Sequence, residues 1–119
     1  MFNLRLTTTA DKSPRSIEAI TDDLMEEAAD NTMDRILALW PVGETGDSLA
    51  AWWKNPIRSG HYNVENEIRY AGFVRRPGQS TPIAAELPMI YAEEIRAATE
   101  RHSNELGEAF LAGALGALP

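Results

Sequence analysis

Two histidines, three acidic pairs, the serines Ser48 and Ser59 and the loop holding Gly43 and Gly46 are the residues to weigh first for catalysis or metal binding. A metal site needs several ligands converging on one point. His61 and His102 stand 41 residues apart in different elements, and the chain has no cysteine. Thiolate metal sites, disulfides, Fe–S clusters and cysteine nucleophiles are therefore ruled out together. His102 falls on an apolar stripe, where a packed structural histidine is expected, and His61 belongs to a turn where it meets solvent. Asp22-Asp23, Glu26-Glu27 and Glu93-Glu94 place paired carboxylates on the charged faces of helices, so they read as solvated faces rather than acid–base partners. Ser48 and Ser59 lack a Gly-x-Ser-x-Gly setting. Gly43 and Gly46 sit in Val-Gly-Glu-Thr-Gly-Asp, which has neither the lysine nor the preceding strand of a phosphate loop. The sequence therefore points away from an enzyme, and it calls for no cofactor.

Apolar side chains offer a second kind of chemistry. Trp52 and Trp53 are adjacent, and on a strand neighbouring side chains point to opposite faces. Either one packs under a helix while the other is exposed or covered by a neighbouring subunit, as the enrichment of tryptophan at interface hot spots suggests, or both are covered within the monomer by the two long helices. The run Phe110-Leu111-Ala112-Gly113-Ala114-Leu115-Gly116-Ala117-Leu118-Pro119 is too rich in small apolar residues for a free polar tail.

Charge is unevenly spread over the 119 residues, whose formal net charge is −7. Residues 11–47 hold ten acids against three bases, whereas 48–82 hold Lys54, Arg58, Arg69, Arg75 and Arg76 against Glu65 and Glu67. Six acids face two bases over 83–119. A basic middle between acidic flanks suits either an oppositely charged neighbour or ion pairs within the domain. Duplex binding is disfavoured, because it calls for a concentrated positive footprint. No run of about 20 apolar residues is present to form a membrane span, and Met1–Thr7 lacks the apolar stretch of a signal peptide.

These residues must be positioned by a single α+β domain over 1–119, with a radius of gyration of about 13–14 Å if compact. Phe2, Leu4 and Leu6 alternate with polar residues, which predicts a short strand or arm over 1–12. Ser13 and Pro14 suit a helix start. The apolar stripe Ile17, Ile20, Leu24, Ala28, Ile36, Trp40 then predicts one long amphipathic helix over 13–40. Pro41 and the glycines at 43 and 46 end it. Residues 48–67 predict a β-hairpin turning at Ser59-Gly60, with Pro56 at an edge. Residues 68–74 predict a short helix and 75–80 a loop. A turn over 82–86 leads to a long C-terminal helix over 88–113, whose apolar face runs Tyr91, Ile95, Ala98, His102, Leu106, Phe110.

Two segments in the middle of the chain resemble a known family. Pro41-Val42-Gly43-Glu44-Thr45-Gly46-Asp47-Ser48-Leu49 resembles its Pro-Val-x-Thr-Gly-x-Leu segment after a long first helix. Tyr62-Asn63-Val64-Glu65-Asn66-Glu67-Ile68-Arg69-Tyr70-Ala71-Gly72-Phe73-Val74 resembles its strand followed by Tyr-Ala-x-aromatic-Val. The family is that of the tail-completion, or head–tail joining neck, proteins of long-tailed bacteriophages and gene transfer agents. The element order also agrees over roughly residues 14–112. Where the family often continues Val-Glu-x-Gly-Thr, this chain has Val74-Arg75-Arg76-Pro77-Gly78.

The resemblance implies a structural virion protein, assembled in the host bacterial cytoplasm. It would form a ring, usually of six copies, at the head-proximal end of the tail. Its partners would be copies of itself, a neck or connector protein, and a tail-tube or terminator protein. DNA would pass through the lumen without sequence-specific binding. Ring closure needs a head-to-tail contact, for which the basic 48–82 segment and the acidic first helix of the next copy are complementary. Trp52, Trp53, Arg58, Arg69, Tyr70, Arg75, Arg76 and Phe110 are the interface candidates. Two other readings stay open: a tail terminator or stopper ring, and a small protein–protein interaction module, a cytoplasmic dimer or regulatory partner, using the Trp52-Trp53 hairpin.

Overall fold

The computed structural model of the chain describes residues 15–41 and 46–116, with side chains as far as 113. The expected N-terminal strand or arm, Ser13-Pro14 and Val42–Thr45 lie outside the described residues. The fold is α+β: α1 (Ile17–Leu39), a single turn α2 (Asp47–Ala50), a hairpin of β1 (Trp52–Arg58) and β2 (His61–Asn66), then α3 (Leu87–Arg101) and α4 (Ser103–Gly116). Two 3-10 turns, Ala71–Phe73 and Ile83–Glu86, link the hairpin to α3.

The described start of α1 is capped by Ser16, whose hydroxyl accepts from the Ala19 amide at 3.1 Å. That contact satisfies one of the free amides of the first turn. At the other end Trp40 is extended, as the residue before a proline prefers. Ile20, Leu24, Ala28, Ala29, Thr32, Ile36 and Trp40 are buried, while Ile17, expected inside, is exposed. Thr32 keeps its hydroxyl satisfied in this apolar stripe by donating to the Ala28 carbonyl at 2.6 Å.

The hairpin begins later than the sequence suggests, because Asp47–Ala50 is helical. Ser48 is the knot: its hydroxyl accepts from Trp40 Nε1 at 3.1 Å and its carbonyl from Asn66 Nδ2 at 2.8 Å. From there β1 and β2 pair antiparallel from Trp52↔Asn66 to Pro56↔Tyr62, and the register shifts before Arg58↔His61, leaving Ile57 bulged. Gly60 closes the turn at φ +78°, in the left-handed region that glycine enters freely. Trp52, Tyr62 and Val64 face α1 and are buried; Trp53, on the other face, is 40 % exposed. The tryptophan rings of Trp40 and Trp52 meet edge to face, 5.1 Å between centroids, the geometry that aromatic quadrupoles favour.

The expected short helix over 68–74 is only the turn Ala71–Phe73. The Asn66 side chain caps the Ile68 amide at 3.0 Å, and Ile83 N donates to Val74 O at 2.8 Å. The chain is thus folded back before a helix can propagate. The expected single C-terminal helix divides at His102, whose φ −100° and ψ 10° leave the helical range. At about 1.5 Å per residue, α3 and α4 are each about 20 Å long and α1 about 35 Å. The molecule measures 62 × 25 × 22 Å, with a radius of gyration of 19.7 Å in place of the compact value.

Helix phase explains one further departure. Successive four-residue steps each overshoot a full turn by about 40°. Two of them carry Phe110 away from the face that His102 occupies, and Ala109 takes the inward position: it is buried against Ile20, Leu24, Ala28 and Ala98. A larger core holds Ala29, Ile36, Trp40, Trp52, Tyr62, Val64, Ala71, Ile83 and Ile90.

Ile36→Ala empties a fully buried site and is expected to cost about 2–5 kcal/mol in urea unfolding. Ile57→Ala, on the exposed bulge, is expected to change stability by less than about 0.5 kcal/mol.

Candidate functional site

Side chains that bind one another inside the subunit must first be separated from those left for a partner. Asp22 in α1 holds the hairpin tip, accepting from the Gly60 amide at 2.7 Å and from the Tyr62 hydroxyl at 2.6 Å. The Tyr62 bond, then the Gly60 bond, hold the Asp22 carboxyl below its ordinary pKa of 3.8. Hydrogen bonding to Asp22, with desolvation, pushes the Tyr62 hydroxyl up to about 12. Tyr91 of α3 donates to the Tyr62 carbonyl at 2.5 Å, and burial raises its own pKa.

Much of the acidic face of α1 is also occupied from within. Lys54 reaches Glu26 and Asp30, each at 2.8 Å, and lies 5.8 Å from the Tyr62 ring centroid. Hydrogen bonds to Asp30 and then Glu26 raise its pKa. Arg101 pairs with Glu27 at 2.8 Å, and Arg15 with Asp23. Arg35 bridges to Glu93 at 2.9 Å and Glu94 at 3.0 Å. His102, half-buried, lies with Nδ1 3.1 Å from Glu105 and Nε2 3.7 Å from Glu27. It is thus held between two carboxylates, where the stripe suggested plain packing. His61 is exposed at the turn, as its position implied.

The interface candidates separate into three places. Trp52 is core, and its indole Nε1 finds no hydrogen-bond partner among the described residues. Trp53 lies on the outer hairpin face beside a polar clamp, in which Glu65 accepts from Asn55 at 2.9 Å and Asn63 at 3.1 Å. Arg58 is exposed at the hairpin end. Arg69, Tyr70 and Arg75 belong to the loop after the hairpin together with Phe73, the most exposed large apolar side chain described. Arg76 belongs to the same loop but is paired with Glu86 at 2.8 Å. Phe110, with Leu111, stands out from α4 at the other end of α1, 65 % and 60 % exposed. An open groove of about 390 Å³ runs beside them, lined by Ile17, Glu18, Ala109, Ala112 and Gly113 among others.

Sequence reasoning named Phe73 only within a motif, did not single out Leu111 as exposed, and missed the Asp22 anchor. An aspartate on a polar helix face resembles its solvated neighbours until the partner that folds over it is known.

Comparison with family models, curated proteins and solved structures gives no match for this chain. Its surface therefore carries the functional reading. Among the described residues no group of three or more His, Asp or Glu side chains converges to hold a metal, and no helix is long and apolar enough to cross a membrane.

The Asp22 anchor sets a pH dependence. A lowered carboxyl pKa contributes stability that is complete above the ordinary value of 3.8 and is lost as pH falls through the lowered one. Tyr62→Phe removes the largest cause of the shift, so the variant is expected to be less stable near neutral pH and to lose less stability on acidification than the wild type. The raised phenol contributes stability that is complete below pH 10 and is lost as pH rises through about 12, and this alkaline loss should disappear in the same variant. Denaturant midpoints across the pH range, with amide exchange at Gly60, check both.

Proposed function

We propose that this chain is a structural subunit of a phage neck, forming a ring at the head-proximal end of the tail that completes the tail and joins it to the head connector. The observation that carries the reading is the placement of exposed apolar side chains. Tyr70 and Phe73 lie at one end of α1, and Phe110 and Leu111 at the other. Large aromatics left in water at separate places suit a subunit that meets more than one neighbour. The resemblance of Tyr62–Val74 to the neck family, and the order of helix, hairpin, turn and C-terminal helix, support the same assignment.

The acidic surplus suits a lumen that must release DNA, with the unpaired carboxylates turned inward. A second reading rests on Trp53 and Ile57, both exposed on the hairpin. Facing a two-fold mate, that hairpin would make the chain a small dimeric interaction module. A tail terminator or stopper ring remains a variant of the first reading.

Deleting the gene from its parent phage or prophage and imaging the induced lysate by negative stain separates these readings. Filled heads apart from tails, or tails with faulty head-proximal ends, are expected, with joining restored by a plasmid copy. Normal infectious particles would overturn the neck assignment and favour the module.

A further inference from the structure

Ion pairs within the subunit reduce what one copy can offer another. The acidic face of α1, complementary on paper to the basic middle of the chain, has Asp23, Glu26, Glu27 and Asp30 engaged internally. Lys54 and Arg76 are likewise taken. Among the described residues, Arg58, Arg69, Arg75 and Arg96 remain as exposed bases without an ion pair, and Glu18, Asp34, Glu67, Glu100 and Glu108 as exposed acids.

Two of these sets coincide with exposed aromatic surface. Arg69 and Arg75 bracket Tyr70 and Phe73, which are 52 % and 73 % exposed. The loop is fixed from below, because Ala71 is buried with Ile36 and Trp40 in the core at the C-terminal end of α1. Glu108 neighbours Leu111, three residues on, and Leu111 lies between it and Phe110 on the outward side of α4, a helix with no lysine or arginine. Ala109 packs against Ile20, and Arg15 meets Glu105 at 3.5 Å, so this second patch lies at the N-terminal end of α1. The ends of α1 are about 35 Å apart. One subunit therefore presents a basic aromatic patch and an acidic apolar patch at opposite ends, too distant to cover each other. Glu67 in the first patch and Arg15 beside the second are the contrary charges; Arg15 is already paired with Asp23 and Glu105.

We propose that the loop bearing Arg69, Tyr70, Phe73 and Arg75 docks onto the α4 face bearing Glu108, Phe110 and Leu111 of a second copy of this chain. The contact is heterologous, one patch against its complement, and so repeats from copy to copy, giving a ring when the rotation between copies closes. It covers both apolar patches with a single geometry, and charge sets its polarity. The inference rests on the ring reading and replaces the acidic first helix with α4 as the acceptor.

A chain without native cysteines allows a direct test. Full-length protein carrying both Gly72→Cys and Gly107→Cys, exposed positions beside the two patches where an added side chain meets nothing within 4 Å, treated with a short bismaleimide, is expected to give a ladder of dimers, trimers and higher products. Each single substitution should give almost none. Arg69→Glu with Arg75→Glu should lower association about tenfold in sedimentation at low salt, and Glu108→Lys should lower it too. Mixing the two charge-reversed proteins should restore it, a recovery that a misfolded variant would not show. Dimers from a single cysteine would overturn the proposal in favour of a two-fold contact, and so would a wild-type protein that stays monomeric at millimolar concentration. Higher wild-type species without a cross-linked ladder would overturn this interface and leave the neck reading standing. Absence of the protein from purified particles would count against the neck reading itself.

Discussion

Burial of one face of a two-stranded hairpin under a single helix is the contact on which the rest of this fold depends. Two strands alone are marginally stable in water. Trp52, Tyr62 and Val64 gain a core only by lying against α1. The Asp22 carboxylate then fixes the tip of the hairpin, and Ser48 fixes its base. With both ends held, the loop that follows leaves the hairpin in one direction, and Tyr70 and Phe73 stay outside while Ala71 goes in. The exposure of those aromatics is a consequence of how their neighbours are anchored.

Electrostatics divide the molecule more finely than net charge suggests. The surplus of acid over 11–47 looks like a single negative face in the linear sequence, yet bases reach it from two other elements, Lys54 of β1 and Arg101 of α3, and from Arg15 just before α1. Exposed pairs of this kind contribute little stability. Their larger effect here is on recognition, because each removes a charge from the inventory available to a partner.

The amphipathic pattern of α1, the Ser59-Gly60 turn and the opposed faces of Trp52 and Trp53 were legible in the sequence, since each follows from a local period or a local backbone preference. The α2 turn was not, because it depends on Ser48 meeting Trp40 and Asn66, contacts 8 and 18 residues away. The division at His102 was hidden by an apolar stripe that runs through it. Phe110 entered that stripe by a count of four residues where the helical period favours Ala109. Of the candidate surface, residue types were readable but availability was not: Arg75 and Arg76 are neighbours in sequence, and only the fold shows that Arg76 has its carboxylate at Glu86.

Pro56 and the bulge at Ile57 have a consequence for how copies of this chain can join. A two-stranded sheet has open edges, and an open edge is a template for further strands. The far side of β2 is engaged by the Tyr91 hydroxyl at the Tyr62 carbonyl. On β1, Pro56 has no amide hydrogen to offer, and the register shift at Ile57 interrupts the even spacing that an added strand would need. Growth of the sheet from subunit to subunit is thereby discouraged, along with the fibrous products it would bring. Association is left to side-chain surfaces, whose shape and charge can specify a closed assembly with a fixed number of members.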